Sequence, residues 1–116
     1  MLQVSPQTRI FVAVQPVDFR NGIDGLCQVC RQGLNENPLS GAVFVFRNRA
    51  KTALKILVYD GQGFWLCLKR LSQGRLTWWP TPASSVCSLS ARQLHVLLWN
   101  GNPDQADMAE DWRRVD

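Results

Sequence analysis

Carboxylates are the first residues to weigh, because cleavage of a phosphodiester commonly uses two metal ions held by three acids. Ahead of position 104 the chain offers four: Asp18, Asp24, Glu36 and Asp60. Asp24 falls at a helix start. Asp60 opens the run Asp60-Gly61-Gln62-Gly63, where an Asp is common for backbone reasons alone. Asp18 and Asp24, with Asp60 as a third, are therefore the candidate ligands of a metal-dependent nuclease, set against a plainer reading in which they serve the backbone. The one histidine, His95, stands in a leucine-rich stretch with no nucleophile elbow anywhere, so a Ser–His–Asp relay has no basis. Tyr59, the sole tyrosine, could attack a phosphodiester, but the histidines or spaced arginines that would surround it are missing. The glycines never frame the Gly-Lys-Ser/Thr of a phosphate loop. Cys27 and Cys30 form a CxxC inside a helical apolar pattern, and Cys67 and Cys87 stand alone in strand-like runs. A zinc ribbon needs a second such pair and a redox CxxC a strand-to-helix turn, so all four read as small buried hydrophobes. No cofactor or metal is implied, and the chain does not read as an enzyme.

The cations are different. Between Gly41 and Pro80 stand Arg47, Arg49, Lys51, Lys55, Lys69, Arg70 and Arg75, against the single acid Asp60. Trp65, Trp78 and Trp79 lie among them. One-signed charge on a compact domain is the footprint of a polyanion-binding surface, since phosphates dominate nucleic-acid affinity. Strand alternation puts Lys55, Leu57 and Tyr59 on one face, Trp65, Cys67 and Lys69 on one face of the next strand, and Arg75, Thr77 and Trp79 likewise. If those faces coincide, they make an aromatic and basic platform on which bases stack. If not, the tryptophans are core and the cations merely solvated.

These residues need a scaffold, and the local signals supply one. Thr8 to Val14 reads as a first strand ending before Pro16. Asn21 is the expected N-cap of a helix whose apolar stripe is Ile23, Leu26, Cys27, Cys30 and Leu34, closed by Gly33 and the run to Pro38. Ala42 to Arg47 is apolar on both faces, which suits a central strand. Leu54 to Tyr59 and Phe64 to Arg70 flank the Asp60–Gly63 turn as a hairpin. Arg75 to Trp79 is expected as a further strand, stopped by Pro80 and Pro82, with a short one at Ser85 to Ser88. Ser90 with Gln93 forms a capping box for a helix carrying Leu94, Leu97 and Leu98, and Gly101 is placed to end it. Asn102-Pro103 restarts a short helix, in which Met108, Trp112 and Val115 can dock on the body. The expected class is α+β: a mainly antiparallel sheet of four to six strands, with two or three helices packed on one face.

At 116 residues the chain is long enough for one core. The expected division is a single α+β domain over 1–101 and an acidic helix or tail over 102–116. Residues 104–116 hold five acids and two arginines, while the preceding part carries 11 cations and four anions. A basic body with an acidic tail fits nucleic-acid binding, the tail shielding the basic surface, guiding a partner or simply solubilising the chain. No apolar run approaches the ~18 residues of a membrane span, and the N-terminus lacks signal-peptide features, so the expected compartment is the cytoplasm.

Four segments carry a family resemblance: VDFRNGIDGL (17–26), GAVFVFRNR (41–49), LKILVYDGQGFWLCLKRL (54–71) and LSARQL (89–94). Over roughly residues 8–98 the chain resembles the insertion-sequence accessory protein TnpB, the second open-reading-frame product of the bacterial insertion sequences numbered sixty-six. That family is distinct from the long RNA-guided nucleases sharing the name. The resemblance implies a small protein encoded beside a larger transposase and needed for efficient transposition, with no catalytic residues to carry over. The chain departs from the pattern at Ala50, where the family often has arginine, at Lys51-Thr52, and in its acidic ending.

Three functions follow from residues and resemblance together. The leading one is a non-catalytic accessory protein of DNA transposition that binds DNA, the transposase, or both. Its phosphate contacts would be Arg20, Arg47, Arg49, Lys51, Lys55, Lys69, Arg70 and Arg75. The second is a protein-only adaptor using a Trp-bearing face or sheet edge, and the third is the metal-dependent nuclease above.

Overall fold

The computed structural model of the chain describes residues 5–81 and 83–104. Five strands form one mixed sheet in the order β4-β3-β2-β1-β5: β1 (Ile10–Ala13), β2 (Val43–Arg47), β3 (Ala53–Tyr59), β4 (Phe64–Arg70) and β5 (Val86–Leu89). Helix α1 (Ile23–Gln28) runs on into a π-helical stretch at Val29–Gly33, and α2 (Ala91–Leu98) follows β5. The α+β class and the mostly antiparallel pairing are as expected. The last short helix expected from Met108, Trp112 and Val115 lies outside the described residues.

β2 occupies the centre of the sheet, and Val43 to Phe46 are buried on both of its faces. β1 runs parallel to β2, with Ile10 opposite Val43 and Val12 opposite Val45. A parallel pair needs a crossover connection, and α1 lies on it. This alters the expected layering. Ile10, Val12, Val43, Val45, Leu54 and Ile56 point to one side, where Leu94 and Leu97 of α2, Leu76 and Trp79 cover them. Ala13, Phe44, Phe46 and Leu57 point to the other, against Leu26, Cys27, Cys30 and Leu34. The helices therefore sit on opposite faces of the sheet, not on one, and the core is divided into two halves by it. Period-2 alternation in β1 and β2 feeds one half with even steps and the other with odd ones.

The thiols of Cys27 and Cys30 are buried as expected, whereas Cys67 and Cys87 are only half-buried against the α2-side core. Burial pushes the Cys30 thiol up to about 12, which suppresses the reactive thiolate.

Two expected elements differ. Arg75 to Trp79 is irregular, not a strand. Its Leu76 N–H donates to the Lys51 carbonyl at 2.8 Å, and the segment crosses the α2 face where Trp79 is buried. The cap of α1 is Gly22 without a side-chain hydrogen bond, not Asn21. Asn21 instead packs over Gly25: a Cβ there would lie 2.6 Å from the Asn21 side-chain oxygen. The capping box of α2 is present in both directions, from Ser90 to Gln93 and back. Its left-handed terminal residue is Asn100 (φ 62), one position before the expected glycine.

Candidate nucleic-acid interface

Strand directions decide where the cations go. β1 and β2 end, and β3 and β5 begin, at the same end of the sheet, and β4 finishes there too. The β2–β3 connection, residues 48–52, is at its tip. Asn48 builds that loop. Its side-chain oxygen accepts from the Thr52 and Ala53 amides at 2.9 and 3.2 Å, and its amide nitrogen donates to the Thr52 hydroxyl at 2.8 Å. Arg49 and Lys51 stand exposed on it, Lys51 in the left-handed region at φ 61.

Other segments converge on this loop. Arg70 closes β4 opposite Ala53, and Leu71 N–H donates to the Thr52 carbonyl. Arg75 is held next to it by Leu76 N–H on Lys51 and by the Asn100 side chain, which donates to the Arg75 carbonyl at 3.2 Å. Lys69 donates its ammonium to the Leu98 carbonyl at the end of α2, where a cation also meets the negative end of the helix dipole. From the opposite side of the sheet, the segment 17–21 is drawn in by Val17 N–H on the Arg47 carbonyl and by Lys55. The Lys55 ammonium donates to the Phe19 and Asn21 carbonyls at 2.7 and 2.9 Å. Between the segment 16–19 and the loop 48–50 an open cleft of about 410 Å³ remains, with Asp18 and Arg49 on its walls.

All eight sequence-predicted cations thus gather at one end of the sheet, but they are not equivalent. Arg49, Lys51, Lys69, Arg70 and Arg75 are exposed. Among the described residues none of these five has a carboxylate within ion-pair distance; the pair present is Arg20–Asp18, at 2.6 Å. Arg20 is spread over both oxygens of that carboxylate, which its hydrogen bonds hold at a pKa of about 2. Arg47 is half-buried: one guanidinium nitrogen donates to the carbonyls of Asn48 and Arg49, the group lies 5.8 Å from the Trp79 ring centre, and its buried Nε has no hydrogen-bond partner among the described residues. Burial and the nearby Arg49 charge both lower its pKa. Arg47 and Lys55 brace the site more than they present charge.

The expected platform of Lys55, Trp65 and Trp79 does not form. Lys55 pairs with Leu68, so its side chain leaves the sheet on the face opposite to Trp65, Cys67 and Lys69. Trp79 is core, its indole N–H donating to the Ala13 and Val14 carbonyls. Trp65 sits at the far end of β4, donating to Asp60 at 2.8 Å. Asp60 also accepts from the Gln62 and Gly63 amides, and these bonds lower its pKa. The aromatic residue that does stand at the basic end is Trp99, 83% exposed and 5.9 Å from the Lys69 ammonium. Sequence reasoning overlooked it. Its signal was an aromatic just off the Leu94, Leu97, Leu98 stripe at a helix end.

Among the described residues, no group of three or more His, Cys, Asp or Glu side chains is placed to hold a metal ion. Asp18 is engaged by Arg20, and Asp60 by its own turn at the other end of β3. Nor is any helix of the described residues long and apolar enough to cross a membrane.

Comparison with known proteins gives a consistent affiliation. The family model described as "IS66 Orf2 like protein" matches residues 8–107. Two Sinorhizobium fredii proteins, both carrying only the description "uncharacterized", are similar along their length. One, y4hO, is 36% identical over 113 residues, covering 97% of this chain and 96% of that protein. The other, y4jC, is 39% identical over 115 residues, covering 99% and 90%. No solved structure matches. The match spans the strands, both helices and the loop 48–52, and the chain belongs to the IS66 Orf2-like family.

Proposed function

We propose that this chain is a non-catalytic accessory protein of insertion-sequence transposition and that it binds DNA through the basic end of its sheet. Family membership supports the link to transposition. The observation that carries the DNA half is the convergence of Arg49, Lys51, Lys69, Arg70 and Arg75, from three chain segments, with no carboxylate partner among the described residues. Assembling like charges is unfavourable by itself, because each raises the potential felt by the others. A polyanion reverses the sign of that cost, and releasing its counterions adds to the gain.

The test is a salt titration of DNA binding. The logarithm of affinity falls against the logarithm of salt by about 0.9 for each duplex phosphate engaged, or about 0.7 for a single strand. Replacing Arg49 or Arg70 by Ala lowers both affinity and slope. Absence of binding to single- and double-stranded DNA at low salt removes this half of the reading.

A second partner has its own observation. β4 is an edge strand of the sheet, and Leu68 on it is 58% exposed. Such an edge accepts an added strand from another chain. The transposase of the same element is the partner we assign to it. Co-purification that survives nuclease treatment supports this assignment, and its loss on nuclease treatment returns the link to DNA alone.

A further inference from the structure

Among the described tryptophans, Trp99 is the one that stands at the basic end without being buried or tied down by its ring nitrogen. Trp79 is buried, Trp78 packs half-buried against the α2-side core, and Trp65 is tied to Asp60 at the other end of β4. Trp99 follows the last residue of α2 and remains 83% exposed. Its position is nevertheless fixed, because its backbone closes the helix on His95 and Val96, and Asn100 after it is locked to Arg75 and Thr77. The Lys69 ammonium lies 5.9 Å from the indole centre while bonded to the Leu98 carbonyl.

Resting on the DNA-binding reading, we propose that Trp99 stacks an unpaired base, and that the DNA held at this end is single-stranded and not duplex. In a duplex the base faces are covered by their neighbours, so a planar indole standing out from the surface has no ring to meet. A single strand exposes those faces beside its phosphates. An indole with cations on the adjoining segments matches both halves of that ligand, and stacking tolerates any base because every base has a π-face. Lys69 steadies the ring through its own attraction to the indole face. The centre of a protein-docking patch favours tryptophan and arginine but is depleted in lysine. Here Lys69 and Arg75 belong to the segments that flank the ring.

The test compares an oligothymidylate with a mixed-sequence duplex of equal length, using anisotropy of labelled DNA and the intrinsic tryptophan fluorescence of the full chain. The single strand binds more tightly and quenches the fluorescence. Trp99→Ala weakens single-strand binding by about 5- to 150-fold, the equivalent of one lost stack. It leaves duplex affinity unchanged, and Trp99→Phe restores most of the loss. Thermal melting of each variant checks the fold, which an exposed side chain does not support. Equal affinity for both DNAs, or an equal effect of Trp99→Ala on both, overturns this inference and leaves the DNA-binding reading standing. Loss of transposase co-purification in Trp99→Ala, with both DNA affinities intact, overturns it in favour of protein docking. No binding to either DNA at low salt overturns both readings.

Discussion

Lys55 holds Phe19 twice over: its ammonium donates to the Phe19 carbonyl at 2.7 Å and stands 4.9 Å from the centre of the Phe19 ring. A second bond to the Asn21 carbonyl at 2.9 Å fixes the turn that leads into α1. A lysine whose three donors are largely used by carbonyls is a strut. Lys55→Met keeps the apolar stem, removes the ammonium and strands two carbonyl oxygens. Hydrogen bonds to charged groups contribute about 1.5–3 kcal/mol, and a loss of that order in unfolding free energy is expected to lower the urea midpoint. An unchanged midpoint with weakened DNA binding would make Lys55 a plain phosphate contact.

Lys51 offers the converse experiment. It sits at φ 61, exposed, in the loop that Asn48 ties together. The left-handed conformation costs a non-glycine residue about 1–2 kcal/mol, and glycine carries no such cost there but loses more entropy on folding. The two nearly cancel, so Lys51→Gly leaves stability within about 1 kcal/mol while removing a cation from the tip. Unchanged melting together with weaker DNA binding and a shallower salt slope is the expected result. Asn48→Ala does the reverse: it unties the loop and lowers stability by about 1–2 kcal/mol through the unsatisfied Thr52 and Ala53 amides.

Much of this arrangement is local and was legible in the chain. The two-sided apolar run Val43–Phe46 marked the central strand, and the Asp60–Gly63 turn and the Ser90–Gln93 box marked where their elements reverse or begin. What failed was non-local. Nothing in the periodicity of Ile10–Ala13 says that its neighbour across the crossover runs parallel, yet that pairing puts the helices on opposite faces. Register failed similarly: a single step separates Lys55 facing Lys69 from Lys55 facing Leu68, and it moves every side chain to the other face. The β-rich residues of Arg75–Trp79 read as a strand, but Trp79 is worth more in the core, where its N–H reaches Ala13 and Val14. The cation cluster itself was legible as composition, and its division into struts and free charges was not.

Trp79 gives that last point a measurable form. It is 8% exposed and its indole N–H is shared between the Ala13 and Val14 carbonyls at 3.0 and 3.2 Å. Trp79→Phe retains most of the apolar contact but removes the donor shared by the two carbonyls, a loss of about 1–3 kcal/mol. Trp79→Ala adds a cavity and is expected to cost about 3–5 kcal/mol. Were Trp79 a base-stacking residue, the phenylalanine variant would keep full stability and lose only affinity.

Asp18 and Arg20 carry the pH prediction. The Arg20 guanidinium and backbone amide hydrogen-bond to the Asp18 carboxylate and hold its pKa at about 2, below the ordinary 3.8. A lowered folded-state value favours the folded chain above the unfolded pKa, and that contribution is lost as pH falls through about 2. The pair is solvent-exposed, so screening keeps its effect on stability small, and the site-resolved titration is the better readout. A carboxyl NMR titration is expected to show Asp18 with its midpoint near 2, moving towards 3.8 in Arg20→Gln. At neutral pH the same pair restrains an arginine whose side chain is 92% exposed. Asp18→Asn releases that charge beside the basic end, so DNA affinity at low salt rises. A nuclease using Asp18 as a metal ligand predicts the opposite: divalent-cation-dependent cleavage by the native chain that Asp18→Asn abolishes. Finding that cleavage would overturn the non-catalytic reading.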